Sequence, residues 1–97
     1  MAWRGYKPNK PYYLGGQWVA FTKDVLRALA RIDPHGKHLK AIEKGRIVPR
    51  GQANGLVPSQ EPGYALKTKV LGHGGGVRVH GRHLEDGTLL FDLITRH

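Results

Sequence analysis

The chain reads as an α+β domain: two helices toward the N-terminal side pack on one face of a small antiparallel sheet, in the order β-α-α-β-β-β. Three observations lead there. Two helical patterns fall between Thr22 and Gly45, three strand-like apolar runs follow from Tyr64, and turn residues separate those runs at hairpin spacing.

Residues 1–16 read as a basic and aromatic arm ahead of a single domain spanning 17–97. Gly5, Pro8, Pro11, Gly15 and Gly16 punctuate the arm, and Arg4, Lys7 and Lys10 alternate with Trp3, Tyr6, Tyr12 and Tyr13. Such interleaving can hold a nucleic-acid strand by phosphate contact and base stacking. The same aromatics can equally fold back and tie the terminus to the domain. Gln17–Phe21 then suits a strand. Thr22 has the side chain of an N-cap, Asp24 lies where the helix dipole favours an anion, and Val25, Leu26, Leu29 and Ile32 form one stripe. Asp33-Pro34 closes this helix or opens the next, which runs from about His35 to Lys44, buries Leu39 and Ile42, and stops at Gly45. Residues 46–63, with three prolines and three glycines, show no period and read as a long loop.

The C-terminal third gives three strands, at 64–71, 77–84 and 88–95. A Gly-rich tip (72–76) joins the first two, and Glu85-Asp86-Gly87 joins the last two with a hairpin signal. The last run is apolar on both faces, with Leu89, Phe91 and Leu93 against Leu90 and Ile94, which predicts a central, covered strand.

At 97 residues the chain has the size of one domain with one modest core. Sixteen Lys and Arg against seven Asp and Glu leave a formal charge of +9, which points to a polyanionic partner. With no cysteine, disulfides, thiolate catalysis, zinc ribbons and iron–sulfur clusters are excluded within this chain. Its apolar stretches are too short for a membrane span, and the opening MAWRGYKPNKPYY lacks the apolar segment of a secretory signal.

Period-two alternation decides which side chains meet. Lys67 and Lys69 share one face of their strand; Arg78, His80 and Arg82 share one face of the next. If the two strands pair, all five lie on a common surface. An imidazole titrating near neutrality amid permanent cations suits RNA cleavage, because it can move a proton while the cations stabilise a phosphorane. The same surface suits plain phosphate binding. His97 ends the last strand beside Arg96 and is a further candidate for proton transfer. Arg82, Arg96, Thr68, Arg4, Lys7 and Lys10 complete the expected RNA-contacting set, although alternation turns Thr68 away from the two lysines. His83 falls on the opposite face unless a bulge at Gly81 flips it. His35 and His38 have a spacing that can bind metal but no carboxylate nearby, acids are too sparse for a two-metal nuclease, and the one serine, Ser59, lies in the loop. No cofactor or metal is expected.

With these elements placed, the chain resembles the RelE/ParE superfamily of bacterial toxins, within the broader barnase/EndoU/colicin/RelE-type ribonuclease fold. Three stretches carry the likeness: WVAFTKDVLRALARI (18–32), GYALKTK (63–69) and GVRVHGRHLEDGTLLFDLITRH (76–97). The resemblance implies a metal-independent endoribonuclease toxin acting in the bacterial cytoplasm, produced there or delivered as the C-terminal domain of a larger secreted protein. It implies roles for Lys67, Lys69, Arg78 and either Arg96 or His97. His80 beside Arg78 is closer to the histidine-using secreted members, so the resemblance implies either mRNA on the ribosome or free RNA and tRNA as the target. An acidic antitoxin or immunity protein is the expected protein partner. Gyrase-poisoning relatives share the fold without nuclease activity, so a non-enzymatic binder of nucleic acid or gyrase is the alternative.

Overall fold

The computed structural model describes residues 2–45, 55–70 and 76–96. It corrects the expected architecture. The two helices lie in the middle of the chain, after two strands, and the sheet is a curled, mixed one of six strands. In chain order the elements are β1 (Tyr12–Leu14), β2 (Gln17–Phe21), α1 (Lys23–Ile32), α2 (Lys37–Lys44), β3 (Gly55–Pro58), β4 (Leu66–Lys69), β5 (Val77–His83) and β6 (Leu89–Arg96). Across the sheet they run β1-β2-β6-β5-β4-β3, and only the β2–β6 pair is parallel.

Both added strands have local causes. Gly15 and Gly16 hold φ of +60° and +83°, the double positive-φ turn whose twist suits a two-residue hairpin, so Tyr12–Leu14 folds back on β2. The segment read as an arm thus supplies an edge strand. At the other edge, Gly55–Pro58 pairs antiparallel with β4, with its proline at the end of the strand, where a missing N–H is tolerated. The long crossover through both helices and three strands returns β6 alongside β2, which makes that pair parallel.

α1 follows its sequence signals. Thr22 caps it, its Oγ1 accepting from Val25 N–H at 3.4 Å, and Val25, Leu26 and Leu29 are buried. α2 has no side-chain cap from its own N-cap residue, Gly36, which sits in the left-handed region. Asp33 serves instead: its carboxylate accepts from Lys37 N–H at 2.8 Å and His38 N–H at 2.9 Å. Trp3 donates its indole N–H to the Asp33 carbonyl at 3.0 Å, so the N-terminal turn, Ala2–Gly5, is pinned at the junction between the helices.

The core lies between the helices and one sheet face. Phe21 and Phe91 stack with centroids 5.7 Å apart, and Trp3 and Tyr6 meet Phe21 edge-on. Val19, Leu29, Ile42, Leu56, Val79 and Leu89 are fully buried around them. Each such side chain contributes about 1.5–3 kcal/mol through burial. Among the N-terminal aromatics, Trp3, Tyr6 and Tyr12 are taken up by this core. Only Tyr13 stays outside.

β6 departs from simple alternation at one place. Gly81 pairs with Phe91 and His80 with Leu93, so β6 carries one residue more than β5 between those pairs. This bulge at Asp92 sends Ile94 to the core and puts Leu93 opposite His80, reversing the expected faces of both. A Cβ on Gly81 would lie 3.0 Å from the side chains of Leu89 and Phe91, which would have to give by a few tenths of an ångström to admit it. β5 itself keeps its alternation, leaving His83 exposed at the strand end with Nδ1 3.4 Å from the Gly87 carbonyl.

Candidate functional site

The sheet face away from the helices gathers the chemistry. Lys67 is the register partner of His80, Arg78 that of Thr95, and Lys69 follows Lys67 on the same side of β4. Lys67, Lys69 and Arg78 are partly buried and Arg82 is exposed. Lys67, Lys69, Arg78, His80 and Arg82 thus share one surface of the sheet.

His80 sits at its centre and is only 2% exposed. Ser59 Oγ lies 2.8 Å from Nδ1, and Thr95 Oγ1 lies 2.7 Å from Nε2. Ser59 also accepts from the Glu61 N–H at 3.1 Å, which leaves its own O–H available to point at Nδ1. A neutral imidazole with its proton on Nε2 then satisfies all three groups. Tyr64 meets the imidazole edge-on, with centroids 5.9 Å apart.

A second cluster adjoins the first. Tyr64 donates its hydroxyl to Asp92 Oδ1 at 2.6 Å, and Arg82 Nε donates to Asp92 Oδ2 at 2.8 Å. The hydrogen bond to Asp92 raises the Tyr64 pKa above its ordinary value, helped by burial and by the carboxylate's charge, so the phenol stays protonated. Arg82 is raised by the same partner and acts as the counter-ion of Asp92.

Other candidates lie elsewhere. Thr68 is fully buried on the helix side, where its Oγ1 lies 2.7 Å from Nδ1 of His38 and accepts from Val79 N–H at 3.1 Å. Arg96 pairs with Val77 and so is turned toward the helix side. Arg4, Lys7 and Lys10 are exposed on the N-terminal segment, with Lys10 Nζ 5.4 Å from the centre of the Tyr12 ring. His97 lies outside the described residues.

Sequence reasoning missed Ser59, Tyr64, Asp92 and Thr95. Thr95 reaches this face only through the bulge in β6, since alternation from Leu89 and Phe91 would turn it to the core. Ser59 follows β3, a strand hidden in a Pro- and Gly-rich stretch. Tyr64 precedes β4, so strand alternation does not govern its direction. Asp92 lies two residues after Leu90, the register partner of Arg82, so alternation along β6 already puts it on this face.

Among the described residues no helix is long and apolar enough to cross a membrane, and no group of three or more His, Asp or Glu is placed to hold a metal ion. Compared with protein-family models, curated proteins and solved structures, the chain has no significant match in any of the three.

Proposed function

We propose that this face binds RNA and cleaves it without a metal, by attack of a 2′-hydroxyl on the adjacent phosphate. The observation that carries the reading is His80, held between two hydroxyl groups on a face bearing Lys67, Lys69 and Arg78. Ser59 connects the buried imidazole to the surface. As the 2′-oxygen bonds to phosphorus, its proton passes to Ser59 Oγ while the Ser59 proton passes to Nδ1 of His80. The leaving 5′-oxygen takes a proton from the Lys67 ammonium as its bond to phosphorus breaks. Arg78 and Lys69 stabilise the charge on the phosphorane oxygens. The products are a 2′,3′-cyclic phosphate and a 5′-hydroxyl, and solvent returns both groups to their starting protonation.

A second reading, a basic face that holds RNA without cutting it, is favoured by the burial of His80 and the engagement of both its ring nitrogens. Incubation with total RNA in EDTA, with and without ribosomes, separates the two. Cyclic-phosphate ends, lost in His80→Ala, support cleavage. Intact RNA with a mobility shift supports binding alone. In a bacterial cell the cleaving protein would arrest growth on induction, and an acidic antitoxin or immunity protein covering the same cations would relieve the arrest.

A further inference from the structure

The exposed aromatics lie on the same face as the cations. Trp18 is 54% exposed and Tyr13 61%, and they are the exposed large hydrophobic residues among those described. They are cross-strand partners in the β1–β2 hairpin, and their rings meet edge-to-face with centroids 5.3 Å apart at 69°. In such a contact the ring that contributes its edge keeps both of its own faces free. Trp18 alternates with Val19, which is fully buried in the core, so Trp18 and Tyr13 project on the side that carries His80.

We propose that the Tyr13–Trp18 pair is a base-stacking subsite that takes an unpaired nucleobase of an RNA strand whose phosphates lie on Lys67, Lys69 and Arg78. The proposal rests on the reading of this face as an RNA site. β2 and β5 are separated by β6 alone, and the strand spacing and rise put Trp18 about 15–20 Å from His80. That separation exceeds one nucleotide. A single strand of several nucleotides therefore stacks at one end of the face and meets the cations at the other, the combination that binds single strands with little sequence preference. A duplex keeps its bases inside its own stack and offers the rings nothing comparable. A second copy of the chain would bring one +9 molecule against another, which charge disfavours at low salt.

The probes are a labelled 2′-O-methyl oligonucleotide of about eight residues, which lacks the attacking hydroxyl, its duplex with a complementary strand, and heparin, a polyanion without bases. Affinity is read by anisotropy, or for heparin by its competition with the oligonucleotide, and ring contact by tryptophan quenching. Trp18→Phe serves as the blank, since Trp3 is only 2% exposed. Trp18→Ala is expected to weaken single-strand binding about 5- to 100-fold while leaving heparin binding unchanged, and Trp18→Phe to recover most of the loss. Quenching is expected with the single strand and not with heparin. Equal single-strand affinity in wild type and Trp18→Ala overturns the subsite and leaves the RNA reading standing. No binding of any RNA at low salt overturns both. If Trp18→Ala instead turns a dimer into a monomer on sedimentation, the rings form a self-contact and the subsite is wrong. If Trp18→Ala does not fold, Trp18→Leu makes the comparison: it keeps apolar bulk without a ring, and unchanged affinity there also overturns the subsite.

Discussion

Ser59 Oγ lies 2.8 Å from Nδ1 of His80, joining the turn after β3 to the middle of β5. The contact gives a buried imidazole a hydroxyl route to the surface. Ser59→Ala should therefore lower the rate of RNA cleavage by about 10²-fold, the scale of a lost proton-transfer group. The fold should survive: the two neutral hydrogen bonds lost, to Nδ1 of His80 and from the Glu61 N–H, are worth about 1 kcal/mol each, a drop in Tm of about 8–16 °C for a domain of this size. Ser59→Thr should restore activity because it restores the hydroxyl. Cleavage kinetics and thermal melts of the three proteins check this. Full activity in Ser59→Ala would exclude the relay.

Lys67 faces the same surface from the neighbouring strand, as the register partner of His80. If it touches a phosphate, its removal releases one fewer counterion on binding. The slope of log K against log salt for a single-stranded oligonucleotide should become shallower by about 0.7 in Lys67→Ala. Arg82→Ala should change the slope less, because Asp92 already neutralises that guanidinium at 2.8 Å. Fluorescence titrations across a salt series measure both slopes.

These residues also show how far the sequence could be read. Period-two alternation was enough to gather Lys67, Lys69, Arg78, His80 and Arg82, because it depends only on strand geometry. It failed where the strand was irregular: the bulge reverses Leu93 and Ile94 and brings Thr95 to the face. It said nothing about Ser59 and Tyr64, which approach from segments flanking short strands and are positioned by tertiary contacts. The helices were legible from Thr22 and the apolar stripe, whereas the Asp33 carboxylate that caps α2 acts from four and five residues upstream. The sheet order was the least legible. Pairing of β6 with β2 joins residues some seventy positions apart, and two edge strands were hidden by glycine and proline whose role was to form their turns and ends.

Gly15 and Gly45 meet backbone to backbone where the β1–β2 turn rests on the end of α2, both in the left-handed region. A Cβ on Gly15 would lie 2.5 Å from Gly45 Cα, and one on Gly45 would strike the Gly15 carbonyl. Gly15→Ala or Gly45→Ala should each cost about 2–5 kcal/mol, from the left-handed conformation together with overpacking against rigid backbone. Gly16 also has positive φ, yet a Cβ there would meet nothing within 4 Å, so Gly16→Ala should cost only the left-handed conformation, about 1–2 kcal/mol. Urea unfolding of the variants separates contact from conformation: equal losses at Gly15 and Gly16 would mean that the turn alone sets the cost.

Tyr64 and Asp92 make a pH-dependent contribution with a definite sign. The hydrogen bond to Asp92, then burial, then the carboxylate charge hold the phenol pKa above its ordinary 10.0. The folded protein thus grips this proton more tightly than the unfolded chain does. The resulting stability is complete below about pH 10 and is lost as pH rises through the higher folded value. Tyr6 acts in the same direction, chiefly through burial and then through Glu43, so two residues share the alkaline decline. Tm followed from about pH 9 to about pH 11 should fall less steeply in Tyr64→Phe than in wild type, with Tyr6→Phe giving the other share. In Asp92→Asn the carboxylate charge is gone, and the tyrosinate absorbance should develop at lower pH than in wild type. An unchanged absorbance titration in Asp92→Asn would show that burial alone, rather than the carboxylate, keeps the phenol protonated.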